Sequence, residues 1–261
     1  MSQNRPPLVE LVEIVAHLRG PEGCPWDKDQ TLQSMRPYLL EEVYELLDAM
    51  ERDAGEDGLE GELGDVLFVL LLITQIGADD GRLTLDSVAR RIIAKMVRRH
   101  PHVFGDGADD EDPGGIAAWE ARKTSKGRSR LAGVPRSLPA LLRAHRQGEK
   151  AASVGFDWVE PGQVMDKVEE EFAELREAIQ SADGPAIEHE LGDVLMSLAS
   201  LGRHLNTPPE AALRRANDRF ASRFAVLERL AREEGVELSG SSDAAVLDEL
   251  WERAKQEESL C

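Results

Sequence analysis

Glu62-Leu63-Gly64-Asp65-Val66-Leu67 recurs as Glu190-Leu191-Gly192-Asp193-Val194-Leu195. The two copies lie in opposite halves of a 261-residue chain, and their surroundings repeat with them. Upstream, Glu41-Glu42-Val43-Tyr44-Glu45 matches Glu170-Glu171-Phe172-Ala173-Glu174, at a step of 20 residues from Glu42 to Glu62 and 19 from Glu171 to Glu190. Downstream, Arg90-Arg91 through Lys95 to Arg99 matches Arg214-Arg215 through Arg219 to Arg223. Trp119-Glu120-Ala121-Arg122-Lys123 matches Trp251-Glu252-Arg253-Ala254-Lys255. Self-similarity in the same order at one long period is the signature of a duplicated structural unit.

The unit is helical. Leu8, Leu11, Val12, Val15 and Leu18 follow Pro6-Pro7 at helical spacing, with proline at the entry. Leu39, Val43, Leu46, Leu47 and Met50 fall on one stripe, as do Val164, Val168, Phe172, Leu175 and Ile179. No run shows the alternation of a strand. Glycine, proline and charge clusters at Gly105–Gly115 and Thr124–Pro139 read as loop and linker. The expected organisation is all-α: two tandem four-helix modules, residues 1–125 and 141–261, joined by a linker at 126–140.

Composition narrows the function. Fifty acids against 31 bases leave a net charge of −19, which disfavours nucleic-acid and anionic-membrane partners. The longest apolar run, Val66–Ile73, is short for a bilayer span, and the N-terminus does not read as a secretory signal. Cys24 and Cys261 are the only cysteines, too few for a disulfide framework or a zinc cluster. The expectation is a cytoplasmic protein.

Residues three apart share a helix face, which pairs Glu42 with Glu45, Glu62 with Asp65, Glu171 with Glu174, and Glu190 with Asp193. A lone E-E-x-x-E is usually a solvated face, and a lone E-x-x-D at a helix start is often dipole chemistry. Both pairs recurring together at matched spacing argue for a site. Asp65 and Asp193 open the apolar runs Val66–Ile73 and Val194–Leu201, which places acids near a core. Crowded carboxylates there raise one another's pKa or take up cations, and the hard oxygen donors suit Mg²⁺ facing a phosphate substrate. A ferritin-like di-iron site needs Glu-x-x-His, and none of the six histidines follows a glutamate at that spacing. Gly64 and Gly192 fit either close packing or room for a ligand. Arg215, Arg219 and Arg223 form a four-spaced basic edge suited to phosphate oxygens, and Trp251 and Lys255 share a face.

At these residues the sequence resembles the MazG family of nucleoside triphosphate pyrophosphohydrolases. The resemblance is carried by GCPWD at Gly23–Asp27, E-E-x-x-E, GELGD at Gly61–Asp65 and RRHPHVFGD at Arg98–Asp106. PRSLPALLRAH at Pro135–His145, VGFDW at Val154–Trp158 and the second acidic set resemble the C-terminal half of the long, two-domain members. The resemblance implies a fold related to the dimeric dUTPases, with four helices framing each site. It implies a homodimer and hydrolysis of an NTP to NMP and pyrophosphate with Mg²⁺. Glu171, Glu174, Glu190 and Asp193 resemble the Mg²⁺ ligands, and the carboxylate quartet itself suggests a mechanism in which Glu171 or Glu174 takes a proton from metal-bound water. Lys167, Val168, Glu169, Glu170 and Glu171 fall where the family binds nucleotide. So do Ala186, Ile187, Glu188 and His189, together with Asp193, Arg219, Arg223, Trp251 and Lys255. The N-terminal module keeps Glu42, Glu45, Glu62 and Asp65. It has Tyr38 where Lys167 stands and Ile93-Ala94 where Asn217-Asp218 stands, so the main activity is expected in the C-terminal module. A protein that senses Mg²⁺–nucleotide without turnover is the competing reading.

Overall fold

The computed structural model describes residues 5–51, 55–104, 129–239 and 243–258. Every regular element among them is an α-helix, and the chain divides into two compact units, Met1–Gly114 and Gly115–Cys261. The expected loop at 105–115, part of the expected linker, the Trp119–Lys123 repeat and Cys261 lie outside the described residues.

The first unit contains α1 (Pro7–Arg19), α2 (Pro25–Asp29), α3 (Met35–Glu51), α4 (Gly55–Asp79), α5 (Leu85–Arg99) and the short α6 (Pro101–Phe104). Helix α4 is its centre, with α1, α3 and α5 packed on it. Val15, Met35, Val69, Leu71, Leu72 and Ile76 form the core. By length and composition α4 could cross a membrane, but it carries Val69, Leu71, Leu72 and Ile76 into this core. Thr84 starts α5: its hydroxyl accepts from the Ser87 amide at 3.1 Å while Ser87 Oγ accepts from the Thr84 amide at 2.9 Å.

The second unit contains α7 (Ala140–Ala152), α8 (Pro161–Ser181), α9 (Gly184–His204), α10 (Pro209–Glu234) and α11 (Ala244–Glu258). Helices α8 and α9 form a hairpin, α7 lies on α9 and α10, and α11 packs on α10. The hairpin turns on two residues. Ala182 adopts the left-handed conformation at φ 54°, and the Asp183 carboxylate accepts from the Ala186 amide at 3.2 Å, ending one helix and starting the next. The first turn of α7 leaves amide donors without helical partners, and Glu210 Oε2 of α10 accepts from Leu142 N at 3.2 Å.

Two details depart from the helical patterns. On α8 the buried residues are Val164, Val168, Glu171 and Ala178, whereas Phe172 and Ile179 are 47% and 58% exposed. The inward stripe follows a shorter period than the apolar residues suggest, and the position it passes through is an acid. On α9, Leu195, Met196 and Leu198 face outward while Val194, Ser197, Ala199 and Ser200 are buried. The apolar run is therefore not simply core. Its small side chains meet α7 and α8, and its leucines form a second, uncovered apolar face.

Leu72 is 1% exposed at the centre of the first core. Leu72→Ala is expected to cost about 3 kcal/mol through lost burial and the cavity left behind, read as a lower urea midpoint for that unit.

Candidate functional site

The α8–α9 hairpin brings three carboxylates of the second unit together. Oxygens of Glu171, Glu174 and Glu190 all lie within 4.8 Å of one another. Glu171 is buried, Glu190 half-buried and Glu174 exposed, so the cluster runs from the helix interface out to solvent. Lys167, one turn before Glu171, places Nζ 2.8 Å from Glu171 Oε1 and 2.9 Å from Glu170 Oε1. These bonds, to Glu171 first and Glu170 second, hold the lysine well above its ordinary pKa. Glu174 is pushed the opposite way for an acid. Loss of water, then the charges of Glu171 and Glu190, raise its pKa despite the attraction of Lys167. Glu171 therefore has a cationic partner at hydrogen-bond distance, while at Glu174 desolvation and like charges outweigh the attraction of Lys167.

Asp193 stands apart from that oxygen cluster. Its Oδ2 lies 3.3 Å from His189 Nε2, one turn earlier on the exposed rim of α9. Asp193, Lys167 and Glu171 line one end of a cleft of about 600 Å³. The wall continues along α7 through Gln147, Gly148 and Ala151, and along α9 through Met196, Ser197 and Ser200. Phe156, Asp157, Trp158 and Arg203 complete it. This volume is in the range of small-molecule sites, and an apolar lining with a few convergent polar groups is their usual chemistry.

The far end is braced by an ion pair. Arg203 Nη1 donates to Asp157 Oδ2 at 2.8 Å, and its second nitrogen reaches Oδ1. His204 Nε2 is 3.0 Å from the same Oδ1, and its ring meets Trp158 edge-on at 6.4 Å. The Arg203 bonds, assisted by His204, lower the Asp157 pKa to about 2. The VGFDW segment supplies Asp157 and Trp158 here; its sequence marked a resemblance, but nothing in its spacing placed it beside the α8–α9 hairpin, whose Arg203 lies 46 residues further along the chain.

The remaining expected nucleotide contacts are dispersed. Val168 is buried in the helix interface, whereas Glu169 and Glu188 are exposed. Glu170 holds Lys167. Ala186 and Ile187 are half-buried in the first turn of α9. Arg219 and Arg223 lie on α10, exposed and half-buried respectively. Trp251 sits against Phe220 at 5.3 Å, in a groove with Phe224, Leu227, Leu238 and Leu247. Lys255 Nζ is 2.5 Å from Glu252 Oε1. None of these four α10 and α11 residues lines the acidic cleft.

The first unit repeats the cluster with changes. Oxygens of Glu42, Glu62 and Asp65 lie within 4.8 Å of one another, and Glu45 stands outside that group. Glu42 is half-buried, and desolvation, then Asp65 and Glu45, raise its pKa. Tyr38, at the position of Lys167, packs edge-on against Trp26 at 5.5 Å. A side chain at Gly64 or Gly192 would meet open space, so neither glycine is required by packing within the chain.

The family model described as the MazG nucleotide pyrophosphohydrolase domain matches residues 30–104 and 160–220, which hold both carboxylate sets. The chain belongs to the MazG family. Escherichia coli (strain K12) nucleoside triphosphate pyrophosphohydrolase is 43% identical over 256 residues, covering 95% of this chain and 97% of the relative. The Thermotoga maritima protein named nucleoside triphosphate pyrophosphohydrolase/pyrophosphatase MazG is 43% identical over 251 residues, 94% of each chain. Bacillus subtilis YabN is 44% identical over 250 residues, which is 94% of this chain and 51% of that one. The likeness to the first two therefore runs through both MazG units and the segment between them.

Asp157 is ionised in the fold at pH values where the unfolded chain, near 3.8, would take up a proton. Its contribution is complete above about pH 4 and is lost as pH falls toward 2. Asp157→Asn is expected to destabilise by about 1–2 kcal/mol at pH 6, after allowance for solvent screening. In thermal melts the gap from wild type should narrow steadily between pH 4 and pH 2.

Proposed function

We propose that the protein is a Mg²⁺-dependent nucleoside triphosphate pyrophosphohydrolase, converting an NTP or dNTP to the monophosphate and pyrophosphate. The main site is in the second unit. The observation that carries this reading is the Glu171–Glu174–Glu190 cluster, whose Glu171 lines a nucleotide-sized cleft together with its partner Lys167. The names of the Escherichia coli and Thermotoga maritima relatives support the reaction class. A cytoplasmic location fits a nucleotide substrate.

The donor set fits a hard divalent ion. Three carboxylates supply oxygen ligands only, and their crowding is what a cation relieves. Glu171, Glu174 and Glu190 would hold the Mg²⁺, with Asp193 beside them. When bound, the ion supplies charge neutralisation and a lowered pKa for coordinated water.

The chain's own groups then divide the work. Lys167, kept protonated by Glu171 and Glu170, offsets negative charge on the phosphates. Glu171 is anchored by that lysine and serves as a fixed ligand. Glu174 is exposed at the solvent end of the cluster, which leaves a carboxylate oxygen open to take a proton from the attacking water. Phosphoryl chemistry is largely positioning and charge stabilisation, and these are the roles the residues fill.

Glu174→Gln is expected to lower kcat/KM for NTP hydrolysis at least 100-fold, with product analysis following NMP and pyrophosphate. It should also raise the melting temperature of metal-free protein slightly, because like-charge repulsion is removed, and abolish stabilisation by added Mg²⁺. Glu42→Gln should leave turnover within twofold. Nucleotide binding without product formation in wild type would favour the sensing role instead.

A homodimer is part of the same reading. Leu63, Leu67 and Leu70 on α4, and Leu191, Leu195 and Leu198 on α9, are between 38% and 51% exposed at matching positions of the repeat. Apolar stripes of that length are characteristic of covered interfaces. Sedimentation at micromolar concentration should give twice the chain mass, and Leu195→Glu with Leu198→Glu should shift it toward one.

A further inference from the structure

The chain enters α7 through a stretch without regular structure, and that stretch reaches the cleft. Leu131 is one of the lining residues, ahead of the start of α7 at Ala140. Two successive turns make up the stretch. In the first, the Val134 amide donates to the Leu131 carbonyl at 3.4 Å. Gly133, with φ at 89°, takes the third position of that turn, where a left-handed residue is needed. In the second, the Leu138 amide donates to the Pro135 carbonyl at 3.5 Å. Ser129 ties the near end: its carbonyl accepts from the Ala132 amide at 2.9 Å, and its hydroxyl oxygen from the Leu131 amide at 3.3 Å. Among the described residues, the backbone–backbone hydrogen bonds of residues 129–138 all end inside that stretch. Val134 and Leu138 are half-buried, whereas Leu131, Ala132 and Gly133 are exposed.

Phe156 lines the same cleft from the segment that follows α7, and it is held differently. Its neighbour Asp157 accepts from both terminal nitrogens of Arg203 on α9, and His204 shares the same carboxylate. Arg203 in turn lies against α7, where a Cβ on Gly148 would come within 3.1 Å of its Nε. The Phe156 segment is thus pinned to the helices by side chains from outside it, while the backbone of the Leu131 segment is bonded only to itself. Yet Leu131 is 43% exposed and Phe156 is 80% exposed. Two large apolar side chains line one cavity and leave much of their surface in water, a state that bringing them together would relieve.

We propose that residues 130–134 are a flap on this cleft, with Leu131 as the tip that closes onto Phe156 when substrate is bound. The half-buried Val134 and Leu138 are its anchor. The turn at 131–134 keeps its own hydrogen bonds as it moves, so closure breaks no helix and no contact of a ladder. Closing buries Leu131 with Phe156 and screens the cleft from solvent, which retains substrate during hydrolysis and makes opening a step in product release. This rests on the reading that the carboxylates of the second unit hydrolyse a nucleotide in this cleft. Residues 130–134 and Phe156 lie outside the segments matched by the family model.

The probe is α,β-methylene-ATP with Mg²⁺, in which the bridge that hydrolysis would break is carbon. Leu131→Cys and Phe156→Cys, in a chain also carrying Cys24→Ser and Cys261→Ser, place one thiol on each side. Mild oxidation should join them at least fivefold faster with the probe bound than without it. The joined form should lose at least tenfold in NTP turnover and recover it on reduction. Joining at the same rate without the probe would mean a fixed wall, and no joining with the probe bound would mean that the two residues do not meet. Either result overturns the flap. A second measurement needs no thiols. Leu131→Ala and Phe156→Ala should each speed release of the probe at least fivefold, and the double variant should release it within twofold of the faster single, because each residue acts through the other. Effects that multiply would mark two separate contacts, and unchanged release would mark none. Both overturn the flap and leave the hydrolysis standing. If wild type neither binds the probe nor releases pyrophosphate from NTP, the proposed function falls and the flap with it.

Discussion

A carboxylate at a core position of a helix organises the second unit. Glu171 takes the place in the α8 stripe where an apolar residue would follow Val164 and Val168. Burying that charge is unfavourable without a partner, and Lys167 supplies one from the previous turn. Glu174 and Glu190 face Glu171 without a lysine at hydrogen-bond distance of their own, and the pKa of Glu174 is raised by lost solvation and then by its acidic neighbours. Folding energy from the surrounding core holds the three acids together. The short turn at Ala182–Asp183 matters for the same reason. It closes α8 onto α9 and so brings a glutamate from each helix to one point.

The repeat clarifies which parts of this arrangement are structural and which are chemical. Glu42, half-buried, occupies the position of Glu171, so an acid turned toward the helix interface belongs to both modules. The lysine does not. Tyr38 packs on Trp26 instead, adding apolar contact where the second unit has a cation. The second unit thus combines the acid cluster with a lysine, an aromatic wall and an ion-paired brace. The lysine comes from α8, and the wall and brace come from α7, the segment that follows it, and the end of α9.

Much of this was legible in the residues. The duplicated acid pairs, the apolar periods and the prolines at helix entries anticipated two helical units and the faces bearing Glu42, Glu62, Glu171 and Glu190. Such features are local, and helical geometry converts spacing directly into position. Less legible was which acids meet. Glu45 and Asp193 share spacing with the clustered carboxylates but not their oxygen positions, because the contact depends on how two helices are rotated against each other. The burial pattern of α8 was misread for the same reason. Packing angle moved the inward stripe off Phe172 and Ile179 and onto Glu171 and Ala178.

The cleft wall was the least accessible to sequence. Gln147, Trp158, Ser200 and Arg203 come from three separate segments and show no motif at a common spacing. Their association is set by α7 lying on α9 and by the Asp157–Arg203 bond across 46 residues. The sequence by itself determined the helices, the duplication and the acid pairs, since each follows from residues within a few turns of one another. Only the tertiary structure decided which carboxylates converge, which acid is neutralised by lysine and which aromatic faces the cleft. Those outcomes depend on long-range packing, where a small rotation of one helix changes every partner on its face.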